Sequence, residues 1–184
     1  MISMKYLVFG YGTFITNKIY KKYKNPKPAF LMDYYRIFRK NEGDWFPYIL
    51  HKQVFEITKN NDKNNKSEKV LQIKPGFWGI VFEVDEDELY ELDKYEGLEE
   101  IYKRIEDNVM LKDGTILKAM IYYPNDKTIK QKRLKDFLNE RDLWLDYMKE
   151  NFKEIINEFP ELIQNSRIMP AEPDPEHCIP SRFP

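Results

Sequence analysis

A glycine-containing loop near the start of the chain and a carboxylate near its middle are the residues whose types could do chemistry together. Residues 6–9 form an apolar run typical of a buried strand, and the loop Gly-Tyr-Gly-Thr follows at residues 10–13. A tight glycine turn after a buried strand leaves consecutive backbone N–H groups outside any ladder, and such groups can bind an anion or form an oxyanion hole. The loop is therefore either an anion-binding site or an ordinary turn.

The carboxylate is Glu96, which differs from its acidic neighbours. Most carboxylates of residues 83–100 crowd the first turns of a predicted helix, where they interact favourably with the helix dipole. Glu96 lies at the opposite end, between Tyr95 and Gly97 and shortly before the apolar Ile101. A poorly solvated pocket at that place would raise its pKa and suit it to acid-base chemistry. The alternative is an exposed glutamate at the end of a surface helix.

Other patterns that could carry chemistry are incomplete. The loop is not a dinucleotide-binding fingerprint, because Ile15 stands where the third glycine belongs, and no Gly-Lys-Ser/Thr follows to form a phosphate loop. The acidic run lacks the ligand spacing and mid-loop glycine of a calcium-binding EF-hand. His177 and Cys178 are adjacent in an extended tail, so their side chains point to opposite sides and disfavour a thiol dyad.

Composition limits the classes of protein. A chain of 184 residues with 42% hydrophobic and 15% aromatic residues can bury one substantial core. The net charge of -1 gives no overall attraction to nucleic acid or to an anionic membrane. One cysteine and two histidines are too few for a disulfide or for the usual zinc sites. We therefore expect a cytoplasmic, metal-free protein that binds neither nucleic acid nor membranes.

The elements that position the loop and Glu96 are mostly strands. Asp85 and Glu88 stand at the positions of a capping box and Gly97 suits a helix end, so a helix is predicted over residues 86–96. Residues 101–111 and 116–123 form a predicted hairpin around an Asp-Gly turn. Further strands are predicted at residues 29–38, 47–57, 70–74 and 77–84, with a polar connection at 58–69.

A helical period begins at Lys130 and predicts one or two long helices ended or kinked by Pro160. Their apolar stripe either packs on the preceding domain or forms a homodimer seam, and the short length of the stripe favours packing. Residues 166–184 are rich in proline and predict an extended tail. The chain thus divides into residues 1–124, a helical extension over 125–165, and the tail.

Four segments together resemble the γ-glutamylcyclotransferase-like family, in its branch of AIG2-like proteins and γ-glutamylamine cyclotransferase. They are residues 6–14 (Tyr-Leu-Val-Phe-Gly-Tyr-Gly-Thr-Phe), 46–49 (Phe-Pro-Tyr-Ile), 78–84 (Trp-Gly-Ile-Val-Phe-Glu-Val), and the pair 92–97 (Leu-Asp-Lys-Tyr-Glu-Gly) with 102–104 (Tyr-Lys-Arg). Each motif is weak alone, whereas their order and spacing are specific. The resemblance covers about residues 4–123.

This resemblance implies an α+β fold, a small and strongly curved mixed β-barrel with helices packed outside, here followed by the helical extension. It implies a γ-glutamyl amide as substrate, cyclised to 5-oxoproline with release of a free amine and with no cofactor. By position, Tyr11, Gly12, Thr13 and Phe14 would bind the substrate, and Glu96 would be the acid and base. Two alternatives remain: a non-catalytic binding or interaction module on the same barrel, and a hydrolase that would release glutamate.

Overall fold

The computed structural model describes residues 4–55, 74–138 and 142–164 of the chain. Within these residues, seven strands and five α-helices follow one another. The strands are β1 (Tyr6–Gly10), β2 (Lys24–Leu31), β3 (Tyr34–Ile37), β4 (Tyr48–His51), β5 (Phe77–Val84), β6 (Tyr102–Leu111) and β7 (Ile116–Pro124). The helices are α1 (Thr13–Thr16), α2 (Glu86–Glu96), α3 (Asp126–Gln131), α4 (Leu143–Asn151) and α5 (Lys153–Glu158).

Five of the strands close into a mixed barrel in the order β1-β5-β2-β6-β7. Strand β1 is antiparallel to β5 and parallel to β7, and the pairing of Val8 with Met120 closes the barrel. Strand β5 is buried at seven of its eight positions, which explains why its sequence is apolar without alternation. The expected curved, mixed barrel with external helices is therefore confirmed.

Gly79 lets two barrel strands approach closely. A β-carbon added at Gly79 would lie 2.4 Å from the carbonyl oxygen of Gly10 and 2.5 Å from Cζ of Phe9. Real side chains do not tolerate such distances, so a glycine is required where β5 crosses the end of β1. The end of β1 leads directly into the loop at residues 11–14, so this close contact supports the position of that loop.

Helix α2 forms where the sequence predicts it. The side chain of Asp85 accepts from the N–H of Glu88, and the side chain of Glu88 accepts from the N–H of Asp85, which completes the capping box. Gly97 ends the helix in the left-handed region, with a φ of 63°. Leu89 and Leu92 are buried in the core, so the face of α2 that carries them packs against the barrel. Glu96 is consequently the last residue of a well-anchored helix.

The two strands predicted at residues 29–38 and 47–57 are wrong in their extent. Strand β2 ends at Leu31, and the chain then leaves the barrel to form β3, which pairs with β4 in a separate two-stranded sheet. Both strands of the small sheet contribute buried residues to the same core as the barrel, so apolar character continues across the break. The predicted strand at 70–74, the connection at 58–69 and the proline-rich tail lie wholly or almost wholly outside the described residues.

The prediction of long C-terminal helices is also wrong. Residues 126–138 and 142–163 fold instead into α3, α4 and α5 with short 3₁₀ turns at Leu134–Phe137 and Pro160–Ile163. Helix α3 ends before Arg133, which has a left-handed φ of 51°, and Phe152 interrupts the helical dihedrals between α4 and α5. The predicted interruption at Pro160 is confirmed, because α5 has ended when Pro160 begins its 3₁₀ turn.

These short elements pack on the barrel through apolar residues. Leu134, Met148 and Ile155 belong to the apolar period that predicted long helices, and they are buried in the main core together with Trp144 and Leu162. A nearly buried ion pair adds a polar contact, with the Arg36 guanidinium 2.7 Å from the carboxylate of Asp142. No helix within the described residues is long and apolar enough to cross a membrane.

Candidate active site

A cavity of about 240 Å³ lies where the end of β1, the β3–β4 connection and the end of α2 meet. All five residues that the sequence singled out, Tyr11, Gly12, Thr13, Phe14 and Glu96, line this cavity. The structure therefore brings the loop and the carboxylate together from positions more than eighty residues apart in the chain. The other lining residues are Phe9, Phe46, Pro47, Tyr95, Ile101, Tyr102 and Tyr122.

Glu96 is the charged residue of this lining. Its carboxylate makes no hydrogen bond or ion pair with any residue in the described part of the chain. Part of its surface stays open to the cavity, while protein encloses its other sides, and this burial raises its pKa to about 7. A carboxyl group with that pKa is present in both protonation states near neutral pH, so it can accept a proton and return it.

The loop next to Glu96 leaves backbone donors unused. The carbonyl of Gly12 accepts from the N–H groups of Ile15 and Thr16, which fixes the turn into α1. The N–H groups of Thr13 and Phe14 have no acceptor among the described residues. Free N–H groups beside a cavity can bind a carboxylate or a developing oxyanion.

Gly12 allows the loop to pack tightly against the β3–β4 connection. A β-carbon at Gly12 would lie 3.1 Å from Cδ of Pro47, closer than side chains normally approach. Pro47 belongs to the Phe-Pro-Tyr-Ile segment noted in the sequence, and it lines the same cavity. The contact explains why a glycine and a proline far apart in the chain occur together in this site.

Two tyrosines beside Glu96 are buried and neutral. The hydroxyl of Tyr11 donates a 2.6 Å hydrogen bond to the carbonyl oxygen of Tyr122, so the hydroxyl proton of Tyr11 is engaged in that bond. Burial raises the pKa of Tyr11 well above its usual value, and the nearby Tyr102 and Glu96 raise it further. Burial also raises the pKa of Tyr102, again with a contribution from Glu96. Glu96 is therefore the group of this trio that can exchange protons near neutral pH.

Sequence reasoning missed a polar network that holds the end of α2. The carboxylate of Asp93 accepts from Nη1 of Arg104 at 2.7 and 2.8 Å, and from the hydroxyl of Tyr122 at 2.6 Å. These bonds join α2 to β6 and β7 one turn before Glu96. Asp93 and Arg104 are part of the Leu-Asp-x-x-Glu-Gly and Tyr-x-Arg motifs, but nothing in the sequence indicated that they pair.

Family comparison agrees with this arrangement. Residues 69–146 match the sequence profile of the family described as gamma-glutamyl cyclotransferase, AIG2-like. This segment of the chain is therefore similar to that family. The AIG2-like match includes α2 with Glu96 and the β6–β7 hairpin, whereas the loop at residues 11–14 precedes it. Comparison with curated proteins gives no significant sequence match.

Two solved structures share the fold of the chain. The Arabidopsis thaliana protein At3g28950.1 is 22% identical, with a TM-score of 0.55 over 88% of this chain and 86% of that one. The Arabidopsis thaliana protein At5g39720.1 is 21% identical, with a TM-score of 0.52 over 86% of this chain and 91% of that one. At this level of identity the similarity establishes the fold.

Metal-ligating side chains were looked for across the described part of the barrel and of the segment packed on it. Within residues 4–55, 74–138 and 142–164, no group of three His, Cys, Asp or Glu side chains could hold a metal ion. His177 and Cys178 lie outside the described residues.

Proposed function

We propose that the chain is a γ-glutamylcyclotransferase-type enzyme that converts a γ-glutamyl amide to 5-oxoproline and releases a free amine. The observation that carries this proposal is the unpaired Glu96 carboxyl, with a pKa of about 7, in the same cavity as the glycine loop. The match of residues 69–146 to the gamma-glutamyl cyclotransferase, AIG2-like family supports the reaction type. The reaction is internal to the substrate, since its own α-amine attacks its γ-amide carbonyl.

Positioning is the first requirement of this reaction. The free N–H groups of Thr13 and Phe14 would bind the α-carboxylate of the substrate at one end of the cavity. The glutamyl chain would then fold so that its amine approaches the γ-carbonyl carbon. Reacting groups held in such geometry behave as if present at effective concentrations of about 10⁵ to 10⁸ M. Most of the rate enhancement would come from this restriction of the chain.

Proton transfer is the second requirement. The α-ammonium must lose one proton before its nitrogen can form the new C–N bond, and that nitrogen must lose another to become the amide N–H of 5-oxoproline. The departing nitrogen gains one proton as its C–N bond breaks and a second as it becomes an ammonium. Glu96 would accept protons from the attacking nitrogen and deliver them to the departing one, and a pKa of about 7 suits both roles at neutral pH. Tyr11 is a poor acid for this purpose, because its hydroxyl proton is held by the carbonyl of Tyr122.

Product identification tests the proposal against its alternatives. The protein is incubated with a panel of γ-glutamyl amides and dipeptides, and the products are identified by mass. Cyclisation gives 5-oxoproline and the free amine, hydrolysis gives glutamate and the same amine, and a binding module gives no product. We expect 5-oxoproline, and release of glutamate from every substrate would contradict the proposed function.

A further inference from the structure

Part of the cavity lining, here called the apolar wall, is apolar and partly open to water. Phe46, Tyr95 and Ile101 line this wall, and Tyr95 and Ile101 are 46% and 40% exposed, although large apolar side chains are usually covered. Trp45, directly before Phe46, is 76% exposed. An apolar surface at the opening of a cavity gains free energy when a ligand covers it.

Tyr95 is held in place as part of this wall. Its hydroxyl accepts a 2.9 Å hydrogen bond from Nδ2 of Asn17, and its ring lies 5.7 Å from the ring of Phe14. Both contacts fix the ring without a ligand, so little side-chain freedom is lost when a ligand packs on it. The wall is therefore a prepared surface and is suited to a planar or bulky apolar group.

The same wall offers no counter-ion for a second carboxylate. No Lys, Arg or His is among the cavity-lining residues of the described chain, and Glu96 there is acidic. The cations nearest in sequence to the apolar wall pair with other carboxylates. They are Lys94 with Glu91, Lys103 with Asp126, and Arg104 with Asp93. A carboxylate on the amine part of the substrate would lose water without a partner and would meet the charge of Glu96.

We infer that the amine released by this enzyme is an arylalkylamine, a primary amine with an aromatic body and no carboxylate. This inference rests on the proposed function, since it assigns the part of the γ-glutamyl amide beyond the scissile bond. The glutamyl group binds the free N–H groups of the loop, and the aromatic body of the amine packs on Phe46, Tyr95 and Ile101. Amides of α-amino acids are then poor substrates because of their extra carboxylate.

Three matched substrates test this assignment. γ-Glutamyl-phenethylamide and γ-glutamyl-phenylalanine differ by one carboxylate, and γ-glutamyl-ethylamide lacks the ring. We expect kcat/KM for the phenethylamide to exceed that for each of the other two by about tenfold or more, equivalent to about 1.4 kcal/mol. Equal or higher kcat/KM for γ-glutamyl-phenylalanine, or for the ethylamide, would overturn the inference while leaving the cyclotransferase activity established.

A pair of variants locates the effect. Tyr95→Ala should remove most of the preference for the phenethylamide over the ethylamide. Tyr90→Ala is the matched control, because Tyr90 is an exposed tyrosine on the same helix that does not line the cavity. It should keep the full preference. Loss of the preference in both variants, or in neither, would overturn the role given to the wall.

Affinity measurements distinguish failure of the arylalkylamine assignment from failure of the proposed function. Affinities of the phenethylamide and the ethylamide for the Glu96→Gln variant are measured by calorimetry, where no turnover is expected. Tighter binding of the phenethylamide by about tenfold supports the subsite even if the wild-type protein produces no 5-oxoproline. Equal affinities, or no binding of either amide, would overturn the subsite independently of any turnover.

Discussion

Replacing Glu96 with glutamine should stabilise the protein at alkaline pH. Burial raises the pKa of Glu96 from 4.5 to about 7, so the folded state holds this proton more tightly than the unfolded chain does. At about 1.4 kcal/mol for each pKa unit, the ionised carboxylate costs the fold about 3 kcal/mol at pH above 7. This is an upper limit, because part of the side chain faces the cavity and retains some solvation.

The pH dependence of this effect has a definite sign. Below pH 4.5 the group is protonated in both states and its contribution to stability is fully present. Between about pH 4.5 and 7 the unfolded chain ionises while the folded protein stays protonated, and stability falls as pH rises. Glutamine is neutral throughout. The free energy of unfolding of Glu96→Gln should therefore exceed that of wild type by about 2 to 3 kcal/mol more at pH 8 than at pH 5.

Urea denaturation of both proteins at pH 5 and pH 8 measures this difference. Glu91→Gln is a suitable control, because Glu91 is exposed on the same helix and pairs with Lys94 at the surface. That change should alter stability by less than about 1 kcal/mol at either pH. The reasoning is refuted if the stability difference between Glu96→Gln and wild type is the same at both pH values, since Glu96 would then be solvated like Glu91.

Three further substitutions test how the site is held together. Asp93→Asn weakens the contact of α2 with Tyr122, so kcat should fall by about ten- to a hundredfold with little change in KM. An unchanged kcat would show that Asp93 does not position Glu96. Gly79→Ala places a β-carbon against the carbonyl of Gly10 and should lower the free energy of unfolding by about 1 to 3 kcal/mol in urea titrations. Gly12→Ala should lower kcat/KM more than tenfold, because the added β-carbon pushes the loop away from Pro47. Near-wild-type kinetics would contradict this expectation.

Local signals explain the parts of the fold that could be predicted. The capping box at Asp85 and the left-handed Gly97 specify α2 within a few residues, and the β6–β7 hairpin has an Asp-Gly pair at its turn. Strand β5 is apolar at nearly every position because it is buried on both faces, and its one charged residue, Glu83, is the position that is not buried. The loop and Glu96 could be singled out from the sequence for two reasons. A glycine turn after a buried strand leaves backbone N–H groups unpaired, and a carboxylate at the C-terminal end of a helix opposes the helix dipole.

Long-range pairing explains the parts that could not be predicted. The small β3–β4 sheet and the barrel share one core, so residues 29–38 read as a continuous strand although the chain changes sheet after Leu31. The bonds of Asp93 to Arg104 and Tyr122 depend on β6 and β7 lying beside α2. The apolar period after Lys130 is compatible with several short helices as well as with one long helix. The change of sheet, the bonds of Asp93 and the division into short helices cannot be predicted from a short segment of sequence.

The most direct test of the account is quantification of 5-oxoproline released at pH 7 by the wild-type protein and by Glu96→Gln, with γ-glutamyl-phenethylamide as substrate. The account predicts 5-oxoproline and phenethylamine in equal amounts from wild type, and a rate at least about a hundredfold lower from a folded Glu96→Gln protein. Equal rates from the two proteins, or glutamate in place of 5-oxoproline, would contradict it.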